Sequence, residues 1–115
     1  MYLLHFKYFI IVTLFCGLVY AQTPTLFLIG DLTCSNYSPS YYPSTGWGTK
    51  ISDYFDNNIV KFDNRALSGR ISKSVYDEGS WAGVWYSIKS GDFLIIQFGH
   101  NDEKTADALR YTDPY

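Results

Sequence analysis

Three apolar runs divide the chain, and each stops abruptly in a polar turn. Thr25-Leu26-Phe27-Leu28-Ile29 ends in Gly30-Asp31-Leu32-Thr33. Ile59-Val60-Lys61-Phe62 feeds Asp63-Asn64-Arg65-Ala66-Leu67-Ser68-Gly69-Arg70. Asp92 leads into Phe93 to Phe98, five apolar residues in six, which breaks at Gly99-His100-Asn101-Asp102. The first and third runs lack polar alternation, which predicts strands buried on both faces, as in a parallel sheet. Both are short for helices and rich in β-branched or aromatic residues. Between the runs the period changes. Gly46-Trp47-Gly48 opens a predicted helix in which Trp47, Ile51, Tyr54 and Phe55 share one apolar face, and Asn57-Asn58 ends it. Ser72 to Glu78 and Ser80 to Lys89 are predicted helices, the second with Trp81, Val84, Trp85 and Ile88 on one face, before Ser90-Gly91 breaks it. The order β-α-β-α-β implies right-handed crossovers and parallel strands. The three polar turns then gather at one edge of the sheet, where α/β proteins place their chemistry.

The first residues follow a different logic. Lys7 precedes an apolar run from Tyr8 to Val19, roughly a dozen residues and too short for a comfortable bilayer span. Val19-Tyr20-Ala21 fits a cleavage site, so residues 1–21 read as a signal peptide and the protein as secreted, with no membrane association after cleavage. Cleavage removes Lys7 and takes the formal charge from −2 to −3. No basic face remains for nucleic acid. It also removes His5 and Cys16, which leaves His100 and one unpaired cysteine, Cys34. That thiol is either buried or paired outside this chain. With 115 residues and 47% hydrophobic content, the chain accommodates one domain, residues 22–115, with a core. The loop after the first strand carries the sequon Asn36-Tyr37-Ser38. Its Tyr37, Tyr41 and Tyr42 can stack on sugar rings or pack the loop on itself. Arg65, Arg70 and Lys73 around the second turn are either ordinary solvated charge or a device to attract carboxylates.

In order and spacing, Gly30-Asp31-Leu32, Thr45-Gly46-Trp47-Gly48, Ala66-Leu67-Ser68-Gly69-Arg70, Phe98-Gly99-His100-Asn101-Asp102-Glu103-Lys104 and Tyr111-Thr112-Asp113-Pro114 resemble the GDSL/SGNH hydrolases. Within them they are most similar to the rhamnogalacturonan acetylesterase-like esterases, over essentially all of residues 25–115. The resemblance implies a flavodoxin-like three-layer α/β fold with a parallel sheet, here stopping after the third strand as the N-terminal part of the domain. It implies deacetylation of pectin or another plant cell-wall polysaccharide, without cofactor or metal. In such enzymes the serine of the first turn attacks the acetyl carbonyl. Its backbone N–H, the glycine of the second turn and the asparagine of the third form the oxyanion hole. Gly69 and Asn101 match those two positions. A glycine lets a backbone N–H approach closely, and an amide on a rigid strand end is a preorganised donor. Arg70 and Trp47 are the candidate substrate-binding side chains.

Two departures from the family pattern touch the chemistry. The nucleophile position holds Leu32, which has no hydroxyl or thiol. Thr33 is adjacent, but a shift of one residue re-aims the side chain. The family's Asp-x-x-His motif, which supplies the base, does not occur within residues 1–115. His100 does not match the family's base, and a structural role bonding the neighbouring turns is expected for it. The expectation is therefore a truncated, inactive relative of such an esterase, with a non-catalytic carbohydrate-binding remnant or the first half of an active esterase as the alternatives. Self-association through an open sheet edge is also expected, with Phe93 to Phe98 the most exposed to it.

Overall fold

The computed structural model describes residues 22–113. The expected signal peptide, with Cys16 and His5, lies outside the described residues, as does Pro114. Three parallel strands form the sheet: β1 (Thr25–Gly30), β2 (Lys61–Asn64) and β3 (Phe93–Gln97). Their order is β2-β1-β3. Thr25 pairs with Lys61 on one side of β1, and Leu26 with Phe93 on the other. The architecture is the expected α/β one. Three short helices connect the strands: α1 (Trp47–Lys50), α2 (Ser72–Asp77) and α3 (Ser80–Trp85), with single 3₁₀ turns at Leu32–Cys34, Pro39–Tyr41 and Ile51–Tyr54.

β1 explains why the sheet needs cover on both faces. Its side chains alternate between two cores. Leu26 and Leu28 pack with Cys34 and Ala66 on one side, joined by Ile51, Val60, Phe62 and Ile95. Phe27 and Ile29 pack with Val75 and Val84 on the other, joined by Trp81, Ile88, Leu94 and Phe98. The first core lies under α1 and its 3₁₀ extension, the second under α2 and α3.

Four expectations need correction. β3 is not buried on both faces: among the described residues it has one strand neighbour, and Phe93 and Ile96 are 57% and 56% exposed. β2 begins two residues later than the apolar run. Asp56 accepts from Asn58 N through Oδ1 and from Ile59 N and Val60 N through its carbonyl, so Ile59 and Val60 belong to a turn. The predicted helix face at Trp47, Ile51, Tyr54 and Phe55 does not form. After one α-turn the chain tightens to 3₁₀ geometry, which destroys the 3.6-residue alignment. Only Ile51 of the four joins the core, while Tyr54 and Phe55 are exposed. The helix predicted to Lys89 ends at Trp85. Ser87 Oγ donates back to Gly83 O at 2.6 Å, and Ser87 N bonds Val84 O in a tightened last turn. Trp85, the last residue of α3, is exposed and does not share the buried face with Val84.

Candidate active site

Parallel strands bring the exits of β1, β2 and β3 to one edge, and backbone bonds stitch them together. Asp31 N donates to Gln97 O, and Leu67 N to Gly30 O, at 3.2 and 3.0 Å. Gly30 permits this approach. A Cβ there would stand 2.4 Å from Gln97 O and 2.5 Å from Cys34 Sγ. Asp31 is fully buried and caps the following 3₁₀ turn. Its Oδ1 accepts from Thr33 N at 2.9 Å and from Thr33 Oγ1 at 2.8 Å. Its Oδ2 has no hydrogen-bond partner among the described residues.

The turn presents Leu32 to a hollow of about 190 Å³, walled by Ser35, Asn36, Tyr37, Tyr41 and Ser68. Thr33 does not line it. Its hydroxyl lies between Asp31 and Gln97 Oε1, 2.5 Å from the latter. Cys34 is buried and free, Sγ directed at Asp31 O at 3.6 Å. Burial, and then the neighbouring Asp31 charge, push its thiol pKa up. The thiol is therefore held neutral beneath the turn.

The second and third turns interlock. Gly69 adopts a left-handed φ of +75°, with nothing within 4 Å of where a Cβ would stand. Its neighbour Ser68 lines the hollow, which brings this turn against Leu32. Asn101 lies behind the second turn, not in the hollow wall. It is buried, its Nδ2 donates to Arg70 O at 3.0 Å, and its Oδ1 accepts from Lys104 Nζ at 2.8 Å. Asp102 Oδ1 accepts from Ser72 N at 3.0 Å and from the Ser72 hydroxyl. His100 is exposed and makes no hydrogen bond among the described residues, so the expected bonding to adjacent turns is absent. Arg70 pairs with Glu78, Nε to Oε2 3.1 Å, and Trp47, at the start of α1, is 40% exposed. Neither lines the hollow.

Asn64 holds the site together, and the sequence did not single it out. From the end of β2 its Nδ2 donates to Cys34 O at 2.8 Å and to Asn36 Oδ1 at 3.2 Å, while its Oδ1 accepts from Ala66 N. An Asn at a strand exit was the available signal. Among the described residues, no group of three or more His, Cys, Asp or Glu is placed to hold a metal ion.

No family model matches the chain. Individual relatives do. The rhamnogalacturonan acetylesterase RhgT of Bacillus subtilis is 38% identical over 90 residues, 78% of this chain and 37% of the relative. A rhamnogalacturonan acetylesterase of Emericella nidulans is 34% identical over 82 residues, 71% of this chain and 30% of the relative. The crystal structure of YxiM from Bacillus subtilis superposes with a TM-score of 0.66 at 30% identity, covering 72% of this chain and 24% of that one. The same YxiM is described as an esterase. These relatives support a rhamnogalacturonan acetylesterase-like family of GDSL/SGNH hydrolases, matched over part of its length. The chain spans well under half the length of these relatives. The first turn places a branched alkyl group, Leu32, at the hollow. No imidazole or carboxylate stands in the wall around it.

Proposed function

We propose that this chain is secreted, holds acetylated plant cell-wall polysaccharide such as pectin in the cleft at its strand exits, and does not cleave the ester through position 32. One observation carries the proposal. Leu32 lines the hollow at the strand exits; the resemblance of its turn motif assigns this position to the nucleophile, and the relatives are named for acetylester hydrolysis. A hydrocarbon side chain forms no acyl intermediate. The aromatic wall of Tyr37 and Tyr41 supports binding to sugar rings. The apolar run from Tyr8 to Val19 supports secretion.

Acetate release from acetylated pectin or an aryl acetate is expected to equal that of a heat-treated control. Release clearly above the control overturns the proposal. Leu32→Ser alone is expected to stay at that background, because the hollow wall offers no general base, a function worth about 10²–10⁴ in rate. Substantial turnover by that variant would implicate His100, the one histidine among the described residues.

A further inference from the structure

We propose that two copies of this chain pair through β3 as a closed, twofold dimer with Ile96 on the axis. The inference is independent of the polysaccharide reading. β1 occupies one side of β3. Asp31 N donates to Gln97 O, so Gln97, and with it Phe93 and Ile95, directs its backbone groups at β1. Backbone groups of successive strand residues alternate sides, which turns the N–H and C=O of Leu94 and Ile96 outward. Among the described residues no strand meets them there. Beside this open edge an apolar hollow of about 230 Å³ lies on one face of the sheet, with Ile29, Val75, Tyr76, Trp81, Ile96 and Phe98 in its wall. The segment that fits is therefore extended and uncharged, with apolar side chains on the face of the hollow.

The chain itself carries that segment. β1 is buried between its two neighbours, and β2 bears Lys61 and Asp63. β3 alone among the described strands is both open and free of charge. Antiparallel pairing centred on Ile96 lets the two Ile96 residues exchange backbone bonds and sets Leu94 of each copy opposite Phe98 of the other. Leu94 and Phe98 pack on the face of Phe27 and Ile29, so every one of these cross-strand pairs is apolar and lies on the side of the hollow. Centring on Ile95 would instead set the Asp92 carboxylate against the Phe98 ring. The twofold axis of such an edge pair stands perpendicular to the sheet, so the two hollows open on the same side, and each receives Leu94 and Ile96 of the other copy. The interface is isologous and gives one continuous sheet of order β2-β1-β3-β3-β1-β2. Its outer edges are both β2, where Lys61 and Asp63 oppose addition of another strand, so association stops at two.

Light scattering of the purified full chain is expected to give twice the chain mass, without growth to larger species as concentration is raised. Cysteine substitution reads the register. Opposite residues in a bonded antiparallel pair stand about 5.5 Å apart between Cα atoms, within the reach of a disulfide. Ile96→Cys should therefore link to its own counterpart under mild oxidation and make the dimer covalent. Leu94→Cys is four strand residues from its counterpart, roughly 14 Å, and should stay at the level of the unsubstituted chain, whose Cys16 and Cys34 set the background. A monomer at every concentration overturns the proposal, as does a protein of different sequence holding the β3 edge in place of the second copy. Equal linking of both variants overturns the register about Ile96. Mass that keeps growing beyond two copies overturns the closed dimer, because it shows that a second edge is also in use.

Discussion

Replacing Gly48 by alanine tests whether the Gly-Trp-Gly segment is there for packing. Gly48 is buried in α1. A Cβ at this position would stand 2.3 Å from Cys34 O, where real contacts stay above 3.0 Å, so the backbone must yield by about 0.7 Å. It would also meet Leu28 Cδ2 at 2.7 Å and Asn64 Nδ2 at 2.8 Å. The threatened contact is the Asn64 to Cys34 hydrogen bond, which ties β2 to the Leu32 turn. Losing it costs about 0.5–1.5 kcal/mol, and overpacking against backbone about 1–3 kcal/mol. Alanine's better helix propensity returns about 1 kcal/mol. The net expectation is destabilisation by about 1–3 kcal/mol. Gly83→Ala is the matched comparison, since it lies in α3 with Arg65 Nη1 at an ordinary 3.6 Å from the added carbon. There only the helix gain remains, and the expected change is stabilising by up to about 1 kcal/mol. Urea unfolding followed by tryptophan fluorescence, with pulse proteolysis as a second probe, measures both. A neutral or stabilising Gly48→Ala would refute the packing argument, because the same substitution would then have the same sign with and without the close contact.

Three further outcomes follow from particular contacts. Asp92 ties the start of β1 to the α3–β3 connection by accepting from Thr25 N at 2.7 Å and Lys89 N at 2.8 Å, and these bonds hold its pKa below the usual carboxylate value. A depressed folded pKa means stability present above the unfolded value near ~3.9 and lost as pH falls through the folded one. Wild type should therefore exceed Asp92→Asn in unfolding midpoint at neutral pH and converge with it on acidification; a gap that persists at acid pH would refute this. Cys34 should resist a thiol reagent at pH 8 in the folded chain and react promptly in urea, and fast labelling of native protein would contradict its burial beneath the turn. The run from Phe93 to Phe98 carries no charge, whereas β2 carries Lys61 and Asp63, so association of copies is expected along β3. Ile96→Lys should raise the monomer fraction measured by light scattering, and no change would place any association elsewhere.

The resemblance of the turn motifs to a known family named the fold, and the apolar runs anticipated the strands. Continuous apolarity from Leu26 to Ile29 identified a central strand because such a strand needs cover on both faces, and β1 has it. That Leu32 is chemically inert is a property of its side chain alone. Other features depended on distance between parts of the chain. Phe93 to Phe98 has the same pattern as β1 but lies at an edge, because strand order is decided by pairing and not by composition. Ile59 and Val60 look like strand residues, yet the register with β1 and the Asp56 turn claim them differently. The basic residues near Arg70 looked available for ligand until Asp63, Asp77 and Glu78 were found beside them. Periodicity and chemistry are local and written in the chain; partners and edges arise only when residues far apart in sequence come within a few ångströms.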